Sequence, residues 1–161
     1  MMRSLLGLAI AAALVVNPTI TVAATIASCG AQKGKAYFPA AGLVPKGKDG
    51  WTEDQISGGS TTLTRDSKGE LDVLFRDATG VITSSRNDSG RVILLRKSAR
   101  EIAVLVAYTE GAQAAEIYSF VREVDGRARM LMLSSKGLSA AVAIPKAGVY
   151  VADCTILDLD P

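Results

Sequence analysis

Val92-Ile93-Leu94-Leu95-Arg96-Lys97-Ser98-Ala99-Arg100-Glu101-Ile102-Ala103-Val104-Leu105-Val106-Ala107 decides the fold class. Two runs of β-branched and aliphatic residues flank a short basic, polar segment, too short for the second run to return parallel to the first. The stretch reads as an antiparallel hairpin whose tip, Arg96-Lys97-Ser98-Ala99-Arg100, is kept soluble by its charge. Both runs are apolar on successive rather than alternate residues, so both strands are expected to be central and covered on two faces.

Outward from this hairpin the same grammar repeats. Residues 61–65, 71–77, 81–85, 91–96, 102–108, 116–123, 128–134, 140–144 and 149–155 read as strands. Between them lie Asp66-Ser67-Lys68-Gly69, Ala78-Thr79-Gly80, Asn87-Asp88-Ser89-Gly90, Asp125-Gly126, Lys136-Gly137 and Lys146-Ala147-Gly148, all turn chemistry. Asp125-Gly126 predicts a two-residue type I′ hairpin. Residues 52–56 and 111–115 are each expected to make a turn or two of helix. The expected fold is all-β, one antiparallel meander of about 7–9 strands closing into a small barrel or a sandwich.

Residues 30–60 are rich in Gly, Pro and Ala and show no strand period, while carrying Tyr37, Phe38 and Trp51. They are expected to form a loop-rich flap across the outer faces of the two apolar strands, with the three aromatics as candidate ligand-facing residues. The competing account is that those outer faces meet another subunit.

The chain has 161 residues, and its first 24 have the parts of an export leader. Arg3 supplies the positive start, residues 5–16 are uninterruptedly apolar, and Val22-Ala23-Ala24 offers small residues for cleavage. The apolar run falls short of the roughly 20 residues of a membrane span, and Asn17-Pro18 ends it. No later segment reads as a span. The expected organisation is a signal peptide over 1–24 and one mature β domain over 25–161, divided into the flap (25–60) and the strands (61–155).

The only two cysteines, Cys29 and Cys154, lie near the two ends of that domain. In an oxidising compartment an even cysteine count favours one bridge between them. Ile26-Ala27-Ser28-Cys29 also looks like a lipobox, whose cysteine would carry a lipid anchor; residues 17–28 set it unusually far from the apolar run, and the bridge is the favoured reading.

Absences bound the chemistry. The chain contains no histidine, which removes His-dependent triads, His metal ligation and the commonest general base near neutral pH. Paired cysteines leave no thiolate for catalysis or zinc. Eighteen Lys and Arg face 16 Asp and Glu, and one of the cations, Arg3, belongs to the leader, so the mature domain is nearly neutral and lacks a nucleic-acid-binding face. Asp66-Ser67-Lys68-Gly69-Glu70-Leu71-Asp72 spaces oxygen ligands suggestively but lacks the twelve-residue calcium-loop pattern, and reads as a polar turn. Ser57-Gly58-Gly59-Ser60 reads as a loop entering a strand. Ser134-Ser135-Lys136, and Ser98 near Lys97, miss the Ser-x-x-Lys spacing of serine acylases. Asp72, Asp77, Glu110 and Asp153 are the candidate members of a carboxylate pair. No catalytic, cofactor-binding or metal-ligating residue is assigned.

Cys29-Gly30, Ala36-Tyr37-Phe38-Pro39, Gly42-Leu43-Val44-Pro45, Gly50-Trp51, Ile56-Ser57-Gly58-Gly59 and Val151-Ala152-Asp153-Cys154 together resemble a group of small exported bacterial proteins of unknown function. The resemblance implies a periplasmic or secreted single domain with terminal cysteines and carries no activity. The expected function is a non-catalytic binding or interaction domain of the bacterial cell envelope, recognising a small molecule or an envelope protein without a cofactor. The alternative is a histidine-free hydrolase using a carboxylate pair on an extracellular polymer.

Overall fold

The computed structural model describes residues 23–55, 57–111, 113–139 and 142–160; most of the expected leader lies outside them. The fold is all-β and antiparallel. Its strands are β1 (Ala24–Cys29), β2 (Lys33–Phe38), β3 (Gly50–Gln55), β4 (Ser60–Arg65), β5 (Leu71–Arg76), β6 (Ile82–Ser84), β7 (Gly90–Ser98), β8 (Glu101–Tyr108), β9 (Ala114–Arg122), β10 (Ala128–Lys136) and β11 (Lys146–Leu157). They form one sheet in the order β6-β5-β4-β1-β11-β10-β9-β8-β7, curled into a half-barrel. Two meanders, β4 to β6 and β7 to β11, are joined through β1.

The long strand β11 organises the sheet. One of its edges pairs with β10 along residues 146–153. Along the other, β1 pairs near the C-terminal end and β2 near the N-terminal end. The chain therefore runs along β11 from β1 to β2, interrupted only at Gly30-Ala31-Gln32, where the sheet forks. Beyond the fork β1 pairs onward with β4, whereas β2 pairs with β3 as a separate lobe. The Cys29–Cys154 disulfide closes this edge at the last paired residue of β1, beside a register irregularity at Ser28/Cys29.

The expected flap is corrected by β2 and β3: residues 33–38 and 50–55 belong to the sheet. Small residues hide the strand period of β2. Gly34 and Ala36 occupy its inward positions, and a Cβ on Gly34 would lie 1.9 Å from the Val149 carbonyl oxygen, so only glycine fits against β11. The lobe also lies at the opposite side of the sheet from β7 and covers neither apolar strand. β8 is the penultimate strand, paired on both edges, with Ile102, Ala103, Val104 and Val106 fully buried. β7 is the terminal strand, and Ile93, Leu94 and Leu95 are 40%, 49% and 45% exposed, contrary to the expectation that it is covered.

Other local expectations are also revised. Residues 52–55 are strand rather than helical turn, as are 114–115. Of the expected strand 140–144, residues 140–141 lie outside the described residues and 142–144 are irregular, Leu43 N–H donating to the Ala143 carbonyl at 2.8 Å. Lys146-Ala147-Gly148 is not a turn but the start of β11. Its glycine makes room for a ring, because a Cβ on Gly148 would lie 2.5 Å from Tyr150 Oη. Asp125-Gly126 lies in a hairpin, but the loop has three residues: Gly126 alone takes positive φ (88°), and Glu123 N–H closes on the Arg127 carbonyl at 2.8 Å. That is a type I turn followed by a left-handed glycine. The same closure recurs at Asp66/Glu70 and Asp77/Val81, with Gly69 and Gly80 in the left-handed position.

Cross-strand register arranges the interior in layers. At one end Ala152, Met130, Phe120 and Ile102 share a row; above it come Tyr150, Met132, Tyr118 and Val104. The next row is Gly148, Ser134, Glu116 and Val106, and the rim begins with Lys146, Lys136 and Ala114. The interior thus changes from apolar to polar along the strands. Ile26, Leu63 and Val73 fill the opposite wall of the apolar part.

Candidate functional site

The polar end of the half-barrel contains a cavity of about 330 Å3. Gln32 and Phe75 line one side; Tyr108, Glu116, Tyr118, Met132, Ser134, Lys136 and Lys146 line the other, with Thr83, Ser85 and Asp88 from β6 and the turn after it. The side chains come from seven strands or their flanking turns. The wall from β8 to β11 is held by regular pairing, whereas Gln32 sits at the fork and Ser85 and Asp88 in the turn after β6.

Glu116 points inward from β9 and accepts a hydrogen bond from Tyr118 Oη at 2.6 Å. Burial raises the Glu116 carboxyl above its ordinary range, opposed by the Tyr118 hydrogen bond and by the positive charge of Lys146. Tyr118 is pushed well above its ordinary value, first by burial and then by the adjacent Glu116 charge. Tyr108 is also raised, mainly by burial, and donates to Ser85 Oγ at 2.8 Å.

Lys146 is fixed from the β3 lobe. Its ammonium lies 2.8 Å from Asp54 Oδ2, which also accepts from Tyr150 Oη at 2.7 Å. Partial burial pushes the Asp54 carboxyl up, but the Lys146 and Tyr150 hydrogen bonds outweigh it and hold the carboxyl low. Burial likewise opposes the charge on Lys146, yet Asp54 and Tyr150 keep its value raised. The ammonium is also 5.4 Å from the Tyr150 ring centroid and 5.9 Å from that of Phe38.

At the fork, Gln32 is 3% exposed and donates from Nε2 to Thr61 Oγ1 at 2.7 Å, while its buried Oε1 has no partner. Turning the amide over exchanges which end is satisfied, since the hydroxyl can donate as well as accept. In either orientation one polar atom of a buried carboxamide at the cavity wall is left for a water or a ligand.

Of the three aromatics singled out in the sequence, Tyr37 and Trp51 form an edge-to-face pair with ring centroids 5.7 Å apart, and Trp51 is 67% exposed. They are cross-strand partners on β2 and β3 and do not line the cavity. Phe38 packs against the core below Lys146. None of Asp72, Asp77, Glu110 and Asp153 lines the cavity either. Asp72 accepts from Ser84 Oγ and Arg86 N–H, Asp77 from Thr79 and Val81 N–H, and Asp153 lies 3.4 Å from Arg129. Asp66, first of the suggestive oxygen series, is occupied in the same way by Lys68 and Glu70 N–H and by Arg86. Ser98 Oγ accepts from Arg100 N–H in the β7–β8 turn. Among the described residues, no group of three or more Cys, Asp or Glu is placed to hold a metal ion.

The sequence reading missed Glu116, Tyr118, Tyr108, Gln32 and Lys146. A signal existed: 116 shares parity with Tyr118 and Phe120, and 134 and 136 share it with Met130 and Met132, so polar residues there fall on the inward face. No protein-family model, curated protein or solved structure matches this chain. What fold and site define is an antiparallel half-barrel with a polar cavity at its mouth.

Proposed function

We propose that this protein is an exported, non-catalytic binding domain of the bacterial cell envelope that takes a small molecule into the mouth of its half-barrel. One observation carries the reading: a partly buried carboxyl, Glu116, and a buried carboxamide with one unpartnered atom, Gln32, line one cavity that is also lined by Phe75 and Met132. Small-molecule sites combine apolar walls with a few convergent polar groups and often lie in the mouths of β-barrels. Taking a carboxyl out of water costs stability, which a purely structural wall has no reason to retain. Export is supported by the apolar leader and by the Cys29–Cys154 disulfide, a bond characteristic of oxidising compartments.

The test is native mass spectrometry of the protein recovered from its own exported fraction, beside a Met132→Trp variant that fills the cavity. A small-molecule adduct on the natural protein, lost on unfolding and absent from the variant, is the expected result. Equal adducts on both proteins, or none on either even after incubation with the host's periplasmic extract, overturn the reading.

A further inference from the structure

Lys136 and Lys146 are direct cross-strand partners at the rim, and both line the cavity. Like charges placed opposite each other on one face of a sheet repel. Asp54 compensates Lys146, but among the described residues Lys136 forms no ion pair. One inward position further along β10, Ser134 is buried, and directly across from it on β9 is Glu116, which accepts a hydrogen bond only from Tyr118. A positive pole and a negative pole therefore face the same cavity, one strand repeat apart, about 7 Å along the sheet.

Resting on the binding function above, we propose that the ligand is a small amino carboxylate, its carboxylate held by Lys136 at the rim, beside the Asp54-paired Lys146, and its ammonium against Glu116. The carboxylate supplies Lys136 with the counter-charge that no described side chain provides. The ammonium supplies the partly buried Glu116 with the counter-charge that no described side chain fully provides, since Lys146 is already committed to Asp54. A ligand carrying only one of these charges leaves the other pole uncompensated, and a polyanion would confront Glu116. The cavity volume, about 330 Å3, restricts the occupant to a molecule of a few to a dozen or so non-hydrogen atoms.

Isothermal titration with glycine, β-alanine, 4-aminobutyrate, butyrate and butylamine reads both the charges and their spacing. At least one of the three amino carboxylates is expected to bind tenfold or more tightly than butyrate and butylamine. Glu116→Gln and Lys136→Gln should each abolish that advantage, while Lys136→Arg, which keeps the charge, retains it and guards against a folding artefact. Butyrate or butylamine binding as tightly as the best amino carboxylate overturns the assignment but leaves a small-molecule site standing. Binding of no member of the series overturns it too, and the mass-spectrometric comparison with Met132→Trp then decides separately whether the cavity is a site at all.

Discussion

Cys29 and Cys154 are direct partners in adjacent antiparallel strands, their Cα atoms 3.8 Å apart, and the fork of the sheet begins at the very next residue, Gly30. The bridge holds β1 on β11 where the backbone ladder is about to divide. Only the Gly30 N–H bond to the Asp153 carbonyl, at 2.9 Å, continues the pairing into the gap. With the cysteines separated by 125 positions in the sequence, loop closure in the unfolded chain contributes about 5 kcal/mol on the entropic account. Cys29→Ser/Cys154→Ser is expected to lower the melting temperature strongly. Hydrogen exchange should show residues 24–38 losing protection before β8 and β9. A double variant that melts like the natural protein would refute this role.

Glu116 gives a pH dependence with a definite sign. Its carboxyl is raised in the fold, so folded protein binds the proton more tightly than unfolded chain does. The contribution to stability is fully present below the ordinary carboxyl value of 4.5 and is lost as pH rises through the folded value. Glu116→Gln keeps an acceptor for Tyr118 and removes the titration. The variant should therefore melt higher than the natural protein at neutral pH, with the difference vanishing in acid. Parallel melting curves across pH would show that burial of this carboxyl costs nothing.

Gly148 and Tyr150 make the inner wall of β11 sensitive to one methyl group. Gly148→Ala drives Cβ into the Tyr150 ring, with contacts of 2.5 to 2.7 Å to Oη, Cε2 and Cζ. The ring must then leave Asp54, which also anchors Lys146. Overpacking of this kind costs about 1–3 kcal/mol. Denaturant unfolding should show a loss in that range, with loosened β2 and β3 amides in exchange experiments. Asp54→Asn should loosen the same lobe without adding a clash, separating the steric cost from the lost ion pair.

The hairpin centred on Arg96–Arg100, the antiparallel class and the bridge were legible because each depends on local chemistry: β-branched runs, turn residues and cysteine placement. β2 was not. Its inward side chains are Gly34 and Ala36, chosen for close approach to β11, and such small residues erase the period that marks a strand. The coverage of β7 was misjudged because two apolar faces look the same in sequence whether a strand is central or terminal. The site stayed hidden for a related reason. Glu116, Lys136, Lys146 and Gln32 converge only through cross-strand register and the fork, which no short motif records.

β7 presents a nine-residue terminal edge with three exposed apolar side chains, the arrangement that invites pairing with another chain. On the outer face Ile93 also ends a transverse row with Leu105, Ile117, Leu133 and Val149, of which Leu133 and Val149 are each 51% exposed. Two features oppose association. The register shifts between Leu94 and Arg96, which interrupts a regular edge, and Arg91, Arg96 and Lys97 give the strand a positive charge that a second copy, paired antiparallel, would meet with its own. Arg96 is engaged by Glu101 and Ser119, but Arg91 and Lys97 form no ion pair among the described residues. Arg91→Ala/Lys97→Ala should therefore leave the melting temperature almost unchanged, within about 0.5 kcal/mol of stability, as surface substitutions do. Sedimentation velocity should show concentration-dependent self-association, and adding Leu94→Lys should reverse it. If the charge-stripped protein sediments like the natural one across the same concentrations, the register shift alone protects the edge.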